Sequence, residues 1–514
     1  MKTRAEFYCI LVLISFFLGC QKPKAEKPPN IVLFLVDDMG WQDTSVPFWN
    51  QSTPFNDIYK TPNMERLAKK GVKFTNAYAT PVCSPTRVSL MTGMNAARHR
   101  VTNWTLRPDQ KQTMELNHPI LKFPDWNYNG IGLDPYTPNT VYAKTLAQIF
   151  SEAGYYTIHA GKAHFGAIGY PSSNPLNLGF TINIAGHAAG APGSYLGKEN
   201  FGHGKKGREI WAVPGLKKYH GKDIFLTEAL TKEVITALDA PVEIKQPFFL
   251  YFALYGIHTP LMANERFIKP YREMGLEEPE ARYASMIESM DEALGKVLDY
   301  LEANQLEENT VILFMSDNGG LSAVARGGEK HYHNRPLNSG KGSIYEGGIR
   351  VPMLAYWHNK IKPNSVNTTP IIIEDFFPSL LDMAQINETE IPQIIDGQSF
   401  VPQLLNDGIE SAPRPLFWHY PNEWGPEGPG IGSCSAVRLG DWKLIYFHTD
   451  LSLELYNLKD DLQEINNLLY SNHKKALELT KILTTHLQSV EAQMPTNKIM
   501  GKVIPWPNSQ LVSK

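Results

Sequence analysis

Residues 31–40 read IVLFLVDDMG. The first six, Ile31 to Val36, are apolar without a break, the pattern of a strand covered on both faces. The run then stops at Asp37-Asp38. The same arrangement recurs downstream: Tyr155 to Ala160 runs into Gly161-Lys162-Ala163-His164, Pro247 to Leu254 (PFFLYFAL) ends just before His258, and Val311 to Met315 ends in Ser316-Asp317-Asn318-Gly319-Gly320. Helical spacing lies between them, at Val141 to Ala153, Leu226 to Leu238 and Tyr283 to Ala303. Alternation of helix and apolar strand predicts an α/β sheet covered by helices. Ligands bind beyond the carboxyl ends of strands in such sheets. Four strands delivering Asp, Lys, His and Asn at those ends therefore make one candidate site of dispersed residues, although each pair alone reads as ordinary turn chemistry.

The chain has 514 residues, 42% hydrophobic and 20% charged, which is globular usage and excludes disordered, collagenous and disulfide-scaffold classes. With 49 Lys+Arg against 52 Asp+Glu, a net charge of −3 and no dense basic block, it lacks the footprint of a nucleic-acid-binding protein. Beyond residue 405 the character changes. Ser435 to Phe447 reads as a hairpin turning at Gly440-Asp441, Leu453 to Tyr456 continues it, and Ser471 to Gln493 is an amphipathic helix, together a smaller α+β domain. Segments 102–140 and 186–224, rich in Gly, Pro, Asn, His and aromatics, show no period; loops of that length are commonly functional.

Lys2 and Arg4 precede an apolar run from Phe7 to Leu18, too short to span a bilayer but suited to an export signal. Phe17-Leu18-Gly19-Cys20 resembles a bacterial lipobox, with Phe17 where Leu is usual. The expectation is a signal peptide over 1–19, lipidation at Cys20 and an extended tether over 20–29, giving a periplasmic or outer-membrane-anchored lipoprotein of a bacterium. Ordinary cleavage to a soluble periplasmic protein is the alternative. The remaining domains are then 30–405, catalytic, and 406–514, the α+β appendage. Cys83 and Cys434 are the cysteines left in the mature chain, and the plain reading of such a pair in an oxidising compartment is a disulfide.

The surroundings of Cys83 point elsewhere. Residues 83–87, Cys-Ser-Pro-Thr-Arg, match the C-x-P-x-R signature of type I sulfatases, with Thr86 where Ser is more common. The resemblance continues through GKAH at 161–164, GIHTPL at 256–261, SDNGG at 316–320 and GKGSIYEGGIRVPM at 340–353, and covers Pro29 to roughly Leu462. It implies the alkaline-phosphatase-like fold, a large mixed sheet between helices with a smaller C-terminal antiparallel sheet and helix.

By that resemblance, Cys83 is converted to formylglycine by a separate maturation enzyme. Asp37, Asp38, Asp317 and Asn318, with residue 83, would hold one divalent cation, most often Ca²⁺ and otherwise Mg²⁺. Four oxygen donors without imidazole suit hard cations and indicate no zinc. The resemblance further implies that one hydroxyl of the hydrated aldehyde attacks sulfur and the other lets the aldehyde re-form and expel sulfate. Arg87 would hold the residue-83 side chain, Lys162 and Lys341 would clamp sulfate oxygens, His258 would protonate the leaving alkoxide and His164 would take the proton during collapse. Glu346 and Arg350 read as structural, and His331 and His333 as loop residues.

The expected activity is hydrolysis of an exogenous sulfated carbohydrate. Sugars are recognised by aromatic faces and hydrogen-bonding side chains, which residues 99–140 and 418–424 supply; Trp104 and His419 are the candidate substrate contacts. A phosphodiesterase or phosphonate monoester hydrolase on the same fold, and a substrate-binding lipoprotein without catalysis, are the rival readings.

Overall fold

The computed structural model describes residues 27–387, 389–405 and 412–512. The expected export signal, Cys20, most of the tether and the boundary placed at 405/406 lie outside the described residues. Nine strands form the main sheet: β1 (Asn30–Val36), β2 (Val72–Tyr78), β3 (Tyr156–Gly161), β4 (Ile182–Ile184), β5 (Phe248–Ala253), β6 (Thr310–Ser316), β7 (Arg350–Trp357), β8 (Ser365–Asn367) and β9 (Ile371–Ile372). Their order is β8-β2-β7-β6-β1-β5-β3-β4, with β9 also paired to β2. Only β7 runs antiparallel to its neighbours. The carboxyl ends of β1, β2, β3, β5 and β6 consequently share one edge, where β7 begins.

The uninterrupted apolar runs have a simple cause. Along β1, Ile31, Leu33 and Leu35 face one core while Val32, Phe34 and Val36 face another, so both surfaces of the strand are covered. Helices α1 (Cys83–Thr92), α2 (Leu146–Glu152), α3 (Leu226–Glu243), α4 (Glu278–Ala303) and α5 (Phe376–Met383) do the covering, with Val88, Ile149 and Phe377 on the first face and Leu230, Met290 and Leu294 on the second.

One helix begins later than its periodicity suggests. Thr140–Tyr142 is a short strand, and α2 starts only at Leu146 because Thr145 caps it: Thr145 Oγ1 accepts from Gln148 N (3.2 Å) and Gln148 Oε1 from Thr145 N (2.8 Å). Capping chemistry overrides the apolar spacing of Val141 and Ala143.

A second, antiparallel sheet follows, of β10 (Pro415–Tyr420), β11 (Cys434–Leu439), β12 (Trp442–Phe447) and β13 (Leu453–Asn457), with the β11–β12 turn at Gly440-Asp441. Helix α6 (His473–Ser489) lays Ala476, Leu479, Leu483 and Leu487 on this sheet. Trp418 and Tyr420 instead join the main core, and Trp418 Nε1 donates to Ala79 O (2.9 Å). Cys83 and Cys434 are both buried free thiols, not a disulfide. Among the described residues no helix is long and apolar enough to cross a membrane.

Candidate active site

The register of the sheet assembles the site. Val36 pairs with Ser316, so Asp37 and Asp317 leave adjacent parallel strands side by side. On the other flank Gly161 pairs with Ala253, bringing Lys162 beside them. Gly161 has φ +92°, and a Cβ there would lie 1.9 Å from Ala253 O, so only glycine fits this approach. Asp38 (φ 63°) and His164 (φ 57°) are in the left-handed region without being glycine. Such conformations are disfavoured and are held by their surroundings. Here Tyr283 Oη donates to Asp38 O (3.0 Å) and to Asp43 Oδ2 (2.6 Å), and that carboxylate also accepts from Gly40 N (2.8 Å).

Cys83 opens α1, and the C-x-P-x-R spacing acquires a geometric meaning. Pro85 falls in the first turn, where a missing N–H costs nothing. Arg87, one turn beyond Cys83, is fully buried, its Nε and Nη2 on Asp317 Oδ2 (2.9 and 2.8 Å) and Nη1 on Lys162 O (2.7 Å). Thr86 Oγ1 accepts from Thr80 N (2.9 Å), pinning the loop ahead of the helix, so the Thr at this position bears on support and not on the reacting groups.

Lys162 Nζ donates to Asp37 Oδ2 (2.6 Å), and Lys341 Nζ sits 2.5 Å from Asp38 Oδ1. Three carboxylates, Asp37, Asp38 and Asp317, thus face three cations, Arg87, Lys162 and Lys341. Burial and the neighbouring Asp317 push the Asp37 carboxyl well up despite Lys162. Burial opposes ionisation of Asp38 too, but Lys341 and His258 hold it low. Burial raises the Cys83 thiol against the pull of Lys162 and Lys341.

The residues fit a hard cation. Asp37 Oδ1, Asp38 Oδ2 and Asn318 Oδ1 are buried acceptors without a hydrogen-bond partner among the described residues, an arrangement that is costly unless a cation takes them. One ligand atom each from Asp37, Asp317 and Cys83 lies within 4.8 Å of the others. With the internal charges balanced, a divalent cation would leave the site net positive toward a sulfate monoanion.

His258 Nδ1 donates to Thr259 O (2.8 Å), turning Nε2 toward Asp38 Oδ2 at 3.8 Å. Its side chain is 19% exposed, and burial together with Lys341 pushes its pKa down to about 3 against Asp38. His164 Nε2 donates to Thr105 O (2.7 Å), which leaves Nδ1 a buried acceptor with no partner among the described residues, and burial and Lys162 push this imidazole well below its usual range. Gly190 makes room for it: a Cβ there would lie 2.4 Å from the ring.

Above these groups opens a cavity of about 420 Å³ lined by Cys83, His164, His258 and Lys341, with Trp104, Trp211 and Trp424 as aromatic walls. Asn103 ties the wall together: its amide donates to Glu115 Oε1 (2.9 Å) and to Glu423 O (3.1 Å), while its Oδ1 accepts from Trp104 N (2.9 Å). Trp211 and Arg208, also lining the cavity, had no signal in the sequence beyond membership of the aperiodic 186–224 segment.

His419 is not at the cavity. It is a buried strand residue whose ring bonds Ser435 Oγ (2.8 Å) and Gln493 O (3.1 Å), and this corrects its expected role as a substrate contact. The β-strand alternation that sends Trp418 and Tyr420 into the main core turns His419 the other way. Glu346 lies buried between Lys443 (2.9 Å) and Tyr78 (2.6 Å), away from the cavity lining.

Residues 29–386 match the family profile described as Sulfatase, and residues 339–493 match that of the N-sulphoglucosamine sulphohydrolase C-terminal region. The chain belongs to the sulfatase family. A sulfatase of Formosa agariphila is 29% identical over all of this chain and 99% of its own length. The N-acetylgalactosamine-6-sulfatase of Mus musculus is 29% identical over 96% of this chain and 84% of its own. Among solved structures, that of Ps i-CgsB superposes with a TM-score of 0.70 at 26% identity, over 90% of this sulfatase and 93% of that chain. The protein is accordingly a sulfatase enzyme of the alkaline phosphatase superfamily, and the mixed sheet with its smaller antiparallel companion is the architecture expected of it.

Proposed function

We propose that this sulfatase removes sulfate from an exogenous sulfated carbohydrate, using Cys83 oxidised to formylglycine and one divalent cation, Ca²⁺ in the first instance. The carrying observation is the set of orphaned buried oxygens on Asp37, Asp38 and Asn318 beside Cys83. These residues, with Asp317, would hold the cation, which when bound withdraws charge from a sulfate oxygen and acidifies the attacking hydroxyl. Left unmodified, the Cys83 thiol, pushed up in pKa by burial, is a poor nucleophile, whereas a hydrated aldehyde there would supply both an attacking and a releasing hydroxyl.

The other residues divide the work by position. Arg87 fixes Asp317 and the Lys162 backbone beneath residue 83. Lys341 lines the cavity, Lys162 is fully buried on Asp37, and both would share their charge between the carboxylates and a bound sulfate. His258, open to the cavity through Nε2, is the group to protonate the departing oxygen; a bound sulfate monoanion supplies the negative charge that favours its imidazolium. His164 presents a free Nδ1 as proton acceptor. The carbohydrate assignment draws on the three tryptophans of the cavity and on the substrate named for the mouse relative. Location in the periplasm or at the outer membrane, through residues 1–29, belongs to the same proposal.

The test is peptide mass spectrometry at residue 83 together with sulfate release from sulfated saccharides and nitrophenyl sulfate, and phenol release from a phenyl phosphonate monoester. Formylglycine and saccharide desulfation are expected. Full activity with an unmodified thiol would overturn the nucleophile, and preference for the phosphonate would overturn the substrate class.

A further inference from the structure

The cavity has charge at its floor and a separate cation at its wall. Its ionisable lining groups are Cys83, His164, His258, Lys341 and Arg208, with no carboxylate among them. Arg208 has no carboxylate partner among the described residues. Three of the six other cations in segment 186–224 do: Lys198 pairs with Asp223 (2.9 Å), Lys205 with Glu199 (3.1 Å) and Lys218 with Glu233 (2.7 Å). The guanidinium lies instead over the Trp211 ring, 5.8 Å from its centroid.

This placement is built by the backbone. Trp211 N donates to Arg208 O (3.0 Å), closing a single 3₁₀ turn over Glu209–Trp211, and Gly193 N donates to Trp211 O (2.6 Å). A Cβ on Gly193 would lie 3.3 Å from that same oxygen, so glycine permits the close approach. Arg208 and Trp211 are thereby presented together at the cavity, whose lining also holds Trp104 and Trp424. Lys341, the other basic side chain of the lining besides the histidines, is committed to Asp38, so among the described residues Arg208 is the lining cation without an ion-pair partner.

We propose that Arg208 is a second anion-binding point, which receives a further sulfate or a carboxylate of the substrate while Trp211 covers the sugar carrying it. The substrate class is then a saccharide with at least two acidic groups, one at residue 83 and one at the wall. The guanidinium fork suits either oxyanion. This inference rests on the carbohydrate reading above.

The experiment compares kcat/KM on three probes: a neutral N-acetylhexosamine with one sulfate, the same sugar with two, and a disaccharide joining the monosulfated sugar to a uronic acid. For the wild type, one or both doubly acidic probes should be preferred. In Arg208→Ala that preference should fall roughly fivefold, the scale of an exposed ion pair; Arg208→Lys should keep part of it and Arg208→Glu should reverse it. Response of the disulfated probe alone assigns a sulfate, and of the uronic probe alone a carboxylate. Saccharide turnover with a preference unchanged in Arg208→Ala overturns this inference and leaves the carbohydrate reading standing. Cleavage of nitrophenyl sulfate with every saccharide inert overturns both.

Discussion

Arg87 grips Asp317 with two of its nitrogens on one oxygen, at 2.9 and 2.8 Å, and neither side chain has any exposed surface. Removing one partner of such a pair strands the other charge in the interior. Arg87→Ala should therefore cost about 3–5 kcal/mol of stability as well as turnover. Arg87→Lys should recover little of either, because an ammonium cannot span Asp317 and Lys162 O together. Thermal unfolding with parallel assays checks this, and a normal melting temperature for Arg87→Ala would show that Asp317 is compensated elsewhere.

Asp317→Asn keeps the shape but removes one of three carboxylates. Metal content by elemental analysis and turnover should fall together. Retention of one equivalent of Ca²⁺ at wild-type activity would exclude Asp317 from the cation site.

The role of His258 predicts a graded defect. Nitrophenolate leaves readily without a proton, whereas a sugar alkoxide does not, so His258→Ala should slow saccharide sulfates at least tenfold more than nitrophenyl sulfate, roughly the lower limit of what general acids contribute. Equal losses on both would assign His258 to binding or folding.

Trp104 and His419 should now behave differently. Trp104→Ala should raise KM for saccharides while sparing nitrophenyl sulfate, by loss of a sugar-facing wall. His419→Ala should lower stability by about 1–3 kcal/mol through loss of its bonds to Ser435 Oγ and to Gln493 O, the latter left without this partner. Selective loss of saccharide turnover in His419→Ala would contradict its placement.

A pH test lies far from the chemistry. Burial and the adjacent Asp375 push Glu374 from 4.5 to about 8, against the Asn95 amide that donates to it. Between those values the folded chain holds a proton that the unfolded chain has released, so this contribution is full below 4.5 and disappears as pH rises toward 8. Glu374→Gln lacks that term, and its melting temperature should gain on the wild type from pH 5 to pH 8. Parallel profiles would mean that Glu374 is ionised in the folded state.

The floor of the site was legible in the sequence and its walls were not. Buried parallel strands advertise themselves as apolar runs, and where Asp37, Lys162, His258 and Asp317 follow such runs, the shared direction of the strands brings them together. Trp211 and Arg208 follow no strand. They stand on a short 3₁₀ turn held by Gly193, and no periodicity announces such a turn. His419 was misplaced for a plainer reason, since the two-residue alternation of Trp418, His419 and Tyr420 sends the histidine away from the cavity. Trp424, past the strand end, escapes that alternation and reaches it.

Strand β1 also fixes an orientation. Its seven residues, about 23 Å at the usual rise, separate Asn30 from the aspartates at its far end. Residues just before it are pinned at that distant edge, where Tyr155 Oη donates to Pro29 O (3.0 Å) and Asn309 Nδ2 to Pro28 O (3.3 Å). Whatever is joined ahead of residue 27, be it a resin, a fusion partner or a bilayer, thus attaches at the back of the molecule. An enzyme immobilised in that way turns its open mouth outward, toward chains too large to be engulfed.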